Sequence, residues 1–311
     1  MPTSPFGPLA VIADPHAGEG AVGRALPSVQ RALASSGLEH RLAVAETAEH
    51  ATRLAAEAID EGYRYLCAVG DDATVHAIVN GMFRDGRPIV EEAVLAVIPA
   101  GSGCDLVKSF GLPGDVEESA THLLGDVVYD FDVMKVAVTA RAGGGRTIRY
   151  AHNLAEVGFH AVSWSRATRL PRRLGGARRF LGFWSAYVTE RVRDVHLETD
   201  TRSRDLRTWS VIVGNAQFAD GGLRMSPRSF PGDGVLDALV FTGPKSDAYR
   251  MLPRLFRHGG HVPDDDVAEF RARLKVSVDA DRPMPVVADG IRIGTTPVTF
   301  QLLPQAIRIK L

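Results

Sequence analysis

Asp71 and Asp72 stand side by side after Gly70, where the apolar run "RYLCAVG" (64–70) gives way to "DDATVHAIVNG". A glycine turn after a parallel strand presents backbone N–H groups to an anion, and a helix that follows adds the positive end of its dipole. Two adjacent carboxylates restrict what can bind there. Either the anion arrives with a cation such as Mg2+, or one carboxylate caps the helix that begins near Ala73 while the other faces the ligand. Two further turns have a similar make-up, "DPHAGEG" (14–20) and "AGSGCD" (100–105). Neither follows the G-x-x-x-x-G-K-[ST] pattern, and no lysine precedes Lys108, so a P-loop is excluded; the spacing of "GSGCDL" also departs from the dinucleotide fingerprint.

Other residues could do chemistry. Asp233 and Asp237 flank a glycine in "GDGVLD"; they read either as a turn entering a strand or as carboxylates of a metal site. Cys67 and Cys104 are too few for a disulfide framework and lack zinc spacing, so Cys67 is expected in a buried strand and Cys104 in a glycine-rich turn. "RATRLPRRLGGARRF" holds six arginines within fourteen residues, followed by "LGFWSAY". Arg166 to Tyr187 therefore reads as a solvated face, a phosphate site, a partner surface or a peripheral membrane contact.

The elements that must position these residues are legible from periodicity. Runs 9–14, 40–46, 64–70 and 93–100 read as strands, and helical spacing fills 19–36, 48–61 and 73–83. That alternation predicts a parallel sheet covered on both faces, with ligands at the carboxyl ends of its strands. From about residue 126 the pattern changes to period two, in "VVYDFDVMKVAV", "TIRYAHNLAEVGF", "LRTWSVIVGNA" and "GVLDALVF". Helical inserts are expected at about 177–195 and 246–257, and turns at 279–282, 289–290 and Pro304. The expected organisation is a Rossmann-like α/β domain over 1–125 and an antiparallel β-rich domain over 126–297, with a cleft between them. The tail 298–311 has the option of packing back on the first domain.

Composition bounds the answer. The 311 residues carry a formal net charge of -1, which gives no global attraction for nucleic acid or an anionic membrane. No signal-peptide pattern and no run long enough to span a bilayer is present, so a cytoplasmic protein is expected, peripheral to a membrane at most. A homodimer is left open.

Taken in order, the motifs resemble the diacylglycerol kinase catalytic-domain family, which includes sphingosine kinases and bacterial lipid kinases. "DPHAGEG" is similar to N-P-x-(A/S)-G-x-G, "GDDATVHAIVNG" to G-G-D-G-T-x-x-E-V-x-N-G, and "PAGSGCDLVKSFGLP" to P-x-G-T-x-N-D-F-A-R-x-L-G-I-P. "NLAEVGF", "GNAQFADGGLRMSP", "GDGVLD" and "ADGIRIGTTPVTFQLLPQAIRI" follow in the family's order, so the resemblance covers essentially the whole chain. It implies ATP and Mg2+ as cofactors and phosphoryl transfer to a hydroxyl of a lipid or lipid-like acceptor, or of a small hydroxylated metabolite. The residues expected around the nucleotide are Asp14, Gly18, Gly20, Thr47, Gly70, Asp71, Thr74, Gly101, Ser102 and Gly103. Asp72 and Asp289 are the catalytic candidates, Asp105 and Lys108 the acceptor-binding ones, and Asp233 and Asp237 the metal ones.

The departures from the family pattern are specific. Asp14 and Cys104 replace asparagines, Asp71 and Ala73 replace glycines, Ala77 replaces a glutamate, and the C-terminal D-G-E reads Asp289, Gly290, Ile291. In the family that last glutamate is the proposed base for the acceptor's proton, which Ile291 cannot accept. The resemblance therefore also allows a relative that binds nucleotide without turnover, or one that turns its carboxylates to acid/base work on an anionic ligand.

Overall fold

A computed structural model of the protein describes residues 4–100, 104–139, 145–219, 221–256, 260–262 and 264–311. Gly101, Ser102 and Gly103 of the third turn lie outside them. The chain forms two compact units, 1–133 with 304–311, and 134–303.

The first unit alternates strand and helix as its periodicity requires: β1 (Leu9–Ala13), α1 (Ala17–Ser36), β2 (His40–Val44), α2 (Ala48–Asp60), β3 (Tyr65–Gly70), α3 (Asp72–Gly81). A short hairpin follows, β4 (Phe83–Arg84) and β5 (Arg87–Pro88), then β6 (Val94–Pro99), α4 (Asp105–Phe110) and α5 (Val116–His122). β1, β3 and β6 are buried along their whole length, as continuous apolar runs covered on both faces must be. The sheet order is β2-β1-β3-β6, with neighbours parallel. Cys67 is buried in β3, and burial pushes its thiol up to about 12.

Helices α2 and α3 meet closely on this sheet. Thr52 Oγ1 donates to the Ala77 carbonyl at 2.9 Å, and Ala77, which stands where the family pattern has a glutamate, is buried. At Gly81 an added Cβ would fall 2.3 Å from the Thr52 carbonyl oxygen and 2.7 Å from Ala55 Cβ. Gly81→Ala is accordingly expected to cost about 1–3 kcal/mol, read as a lower urea midpoint at unchanged slope.

β7 (Val128–Thr139) carries the chain into the second unit. There follow β8 (Arg146–Ala151), β9 (Leu154–Gly158), α6 (Phe159–Arg169), α7 (Ala177–Thr189), β10 (Arg193–Thr199), β11 (Ser203–Thr208) and β12 (Ser210–Gly214). The remainder is β13 (Phe218–Ala219), β14 (Leu223–Arg224), β15 (Leu236–Phe241), α8 (Asp247–Phe256), β16 (Val267–Ala272), β17 (Lys275–Ala280), β18 (Pro285–Ala288), β19 (Ile291–Thr295) and β20 (Val298–Lys310). One antiparallel sheet has the order β16-β15-β12-β9-β18-β19. A second is built on β11-β10-β17, with β17 pairing Val298 to Gln301 of β20. Their facing side chains, among them Val211, Leu236 and Val286 from one and Leu197, Val276 and Phe300 from the other, make one apolar core. α6, α7 and α8 cover the outer face of the first sheet through Phe159, Trp209, Phe241 and Met251.

The fold class expected from periodicity is the one observed, and four local expectations are corrected. "LRTWSVIVGNA" is two strands, because the chain leaves one sheet as β11 and enters the other as β12 across the buried Trp209. α6 follows β9 with no loop, and its half-apolar face hid it in the arginine-rich stretch. The insert helix expected over 177–195 stops at Thr189. Pro304 does not end a strand: β20 runs through it, with Gln305 at φ 48° donating its N–H to Asp132 Oδ1 at 2.7 Å. No described helix is long and apolar enough to cross a membrane.

Candidate functional site

The order β2-β1-β3 means that the chain leaves β1 toward one side of the sheet and returns to its other side, so β1 and β3 flank a topological switch point. Outside the carboxyl ends of two such strands a crevice opens, the usual place for ligands in this kind of sheet. "DPHAGEG" and "GDDAT" both lie there.

After β1, Asp14 Oδ1 accepts from the His16 N–H at 2.9 Å and closes an Asx turn. The first turn of α1 then departs from regular geometry, with Gly18 at φ 57° and Gly20 at φ 79°. Side chains rarely adopt these angles, and the absence of a Cβ leaves the backbone open to close approach. After β3, Asp71 is extended and caps α3: its Oδ1 accepts from the Thr74 N–H at 3.2 Å and faces Thr74 Oγ1 at 3.4 Å. Its other oxygen accepts from the Gly18 N–H at 3.1 Å, tying the two turns across the switch point. The side chain that replaces a family glycine thus fills its own turn with a carboxylate. Ala73 lies half-buried in the first turn of α3.

Asp72 points to the third turn. Its carboxylate accepts from the N–H groups of Asp105 (2.9 Å) and Leu106 (3.3 Å), and Cys104 Sγ lies 3.5 Å away. Cys104, the N-cap of α4, contributes no capping bond of its own, so Asp72 caps α4 from another helix. Burial, then the neighbouring Asp72 charge, holds the Cys104 thiol well above the usual range; it stays protonated and is no nucleophile. Asp105 is 1% exposed and pairs with Lys108 Nζ at 2.8 Å. Thr47 caps α2, accepting from the His50 N–H at 3.1 Å.

The structure therefore brings Gly18, Asp71 and Thr74 into one hydrogen-bonded group, with Gly70 so close to Thr74 that an added Cβ would fall 2.2 Å from its Oγ1, and joins Asp72 to the start of α4. Asp289 belongs to the second unit. "DG" between β18 and β19 is a two-residue hairpin turn with positive φ at both positions, 47° and 78°, as a type I′ turn requires. Asp289 is buried, and its carboxylate accepts from the N–H groups of His152 (2.9 Å), Asn153 (2.9 Å) and Leu154 (3.2 Å), with His152 Nδ1 also at 2.9 Å. Three backbone donors meet the oxygens expected to take a proton, and the carboxylate pins the turn entering β9. Sequence reasoning gave His152 and Asn153 no role; "HNL" ahead of a buried strand was the signal.

Asp233 and Asp237 converge on a side chain, not on a vacancy. Arg271 Nε donates to Asp237 Oδ1 at 3.0 Å, and its Nη2 lies 3.6 Å from Asp233 Oδ2. Ser229 Oγ donates to the second oxygen of Asp237 at 3.0 Å. Arg271 of β16 thus lies between the two carboxylates expected to hold a metal.

Comparison with known proteins agrees with these motifs. Residues 8–136 match the diacylglycerol kinase catalytic domain, and residues 153–311 match the YegS C-terminal NAD kinase beta sandwich-like domain. A protein of Alcanivorax borkumensis named "Probable lipid kinase YegS-like" is 27% identical over 280 residues, which cover 88% of this chain and 87% of that one. A Mycobacterium tuberculosis protein named "Diacylglycerol kinase" is 24% identical, covering 98% and 95%. The crystal structure of a diacylglycerol kinase from Bacillus anthracis superposes with a TM-score of 0.71 at 18% identity, covering 99% and 98%, a likeness of fold. With both of its domains matched in order, the chain belongs to the diacylglycerol kinase catalytic-domain family, in its YegS-type form with a β-sandwich second domain.

Proposed function

We propose that the protein transfers the terminal phosphoryl group of ATP, with Mg2+, to a hydroxyl of a lipid or lipid-like acceptor. The observation that carries the reading is the pair of glycine turns flanking the β1/β3 switch point, with left-handed Gly18 and Gly20 and the amino end of α3 facing the same crevice. The turns suit a polyphosphate because no Cβ stands in the way at Gly18 or Gly20, and the amino end of α3 adds the positive end of its dipole. Within the first unit no three His, Cys or acidic side chains converge among the described residues, which fits a cation carried in by the nucleotide and met by one carboxylate or its waters. When bound, Mg2+ supplies neutralisation of the phosphate charge.

The chain's own residues then divide the work. Gly18 and Thr74 line the phosphate end. Asp72 fixes the start of α4, and its carboxylate is the group assigned to the nucleotide's cation. Asp105 holds the ammonium of Lys108 in a set direction, toward the acceptor in this reading. Ile291 leaves proton removal without the family's base, so transfer runs on positioning and charge neutralisation.

One observation favours a second reading, a relative that binds ligand without turnover: the Asp71 carboxylate already occupies the Gly18 N–H. A single assay separates the two. With Mg-ATP, ADP release is followed on addition of diacylglycerol, a sphingoid base, a polyprenol or a short-chain alcohol. Stimulation by one of the lipids is expected; nucleotide binding by calorimetry with no stimulated turnover by any of the four would move the assignment to the second reading.

A further inference from the structure

The Asp71 carboxylate sits at the amino ends of two helices. As the N-cap of α3 it accepts through Oδ1 from the Thr74 N–H at 3.2 Å, with Thr74 Oγ1 beside it at 3.4 Å. Through Oδ2 it accepts from the Gly18 N–H at 3.1 Å, in the first turn of α1, whose own N-cap His16 makes no side-chain capping bond. β1 and β3 are parallel neighbours, so the helices that follow them start side by side and turn the positive ends of both dipoles toward this one side chain. The amides of two helix starts are thus engaged by an anion that the chain itself supplies.

A ligand anion is drawn to the same donors. A bare polyphosphate entering the crevice finds them engaged and meets a negative charge as well, so it must displace a charge-assisted hydrogen bond before it can use the Gly18 N–H. A polyphosphate complexed with a divalent cation carries less negative charge against Asp71, and the two forms are not excluded alike. Asp71 is only half-buried, which leaves its side chain solvent to turn into. Glycine, the residue of the family pattern at this position, has no side chain to place there.

We propose that Asp71 determines which form of ligand the crevice admits: it is an internal anion that holds the amides of α1 and α3 against bare anions and gives way to a polyphosphate accompanied by a divalent cation. For the identity of the ligand the proposal rests on the phosphoryl-transfer reading above.

The test uses the full chain with Asp71→Ser and Asp71→Asn. Serine caps a helix as well as aspartate does but is uncharged and one bond shorter, so it keeps the Thr74 N–H and releases that of Gly18; asparagine keeps the shape and removes the charge. Calorimetry is run with pyrophosphate in EDTA and with Mg-ATP. Asp71→Ser is expected to bind pyrophosphate about tenfold more tightly than the wild type or better, and to gain less for Mg-ATP. Asp71→Asn should gain less than the serine variant, and it carries the test should the serine variant unfold. A second readout needs no ligand: amide hydrogen exchange at Gly18, followed by NMR, should be faster in Asp71→Ser. Pyrophosphate affinity unchanged or lowered in both variants, an equal gain for Mg-ATP, or Gly18 exchange that is no faster would each overturn the proposal. Tighter pyrophosphate binding in a protein that forms no ADP with any acceptor would defeat the kinase reading and leave the role of Asp71 standing. Unaltered pyrophosphate binding in a protein that turns over Mg-ATP would defeat the role of Asp71 alone.

Discussion

Asp72→Ala is expected to lower acceptor-stimulated ADP formation by about 10²-fold or more, the usual scale for removing one group that acts on developing charge. It should also destabilise the fold by about 1–2 kcal/mol, because the amino end of α4 loses its only described side-chain cap. The two effects are separable. Asp72→Asn keeps an oxygen that can accept from Asp105 or Leu106, so it should recover most of the stability while turnover stays low. If the asparagine variant turns over like the wild type, Asp72 acts only by holding α4 in place. If the alanine variant does so, the residue has no part in transfer.

Ile291→Glu is expected to raise acceptor-dependent turnover by about 10²-fold, at the lower end of what a positioned base contributes. The site is prepared for it. Ile291 opens β19 directly after the type I′ turn, paired with Ala288 and half-buried. Two residues earlier the Asp289 carboxylate is immobilised by backbone donors of the 152–154 turn, which fixes the hairpin that would carry the new side chain. The measurement is the maximal rate at saturating acceptor, with KM followed separately, since a base acting in the transition state changes kcat before it changes binding. An unchanged rate would show that proton removal does not limit this protein.

The parallel sheet was legible because β1, β3 and β6 are near-continuous apolar runs ending in glycine turns, a pattern with few other solutions. The second unit was legible as antiparallel and β-rich but not in its joints. Nothing in "LRTWSVIVGNA" distinguishes one long strand from two strands in different sheets, since both alternate; the break falls at Trp209 because only tertiary packing buries an indole there. The site residues show the same limit. A cap is a local device, so Asp71 at the start of α3 could be foreseen. Asp72 capping α4 and Arg271 between Asp233 and Asp237 are contacts between segments far apart in sequence, and no periodicity announces them. The three backbone donors on Asp289 are likewise visible only once residues 152–154 are seen beside the hairpin.

β20 closes the first unit's sheet, with Arg308 and Ile309 running parallel to Val94 and Leu95 of β6. During synthesis β6 therefore emerges long before the strand that covers its outer edge, and the whole second unit must be made in between. Until then a buried-type strand presents open N–H and C=O groups, the kind of edge on which nascent chains pair wrongly. The first unit completes late despite its position in the chain, so folding yield in the cell should respond to the pace of translation and to chaperone supply. A fragment ending at residue 133 would keep the glycine turns and their four strands but not the strand that covers the outer edge of β6.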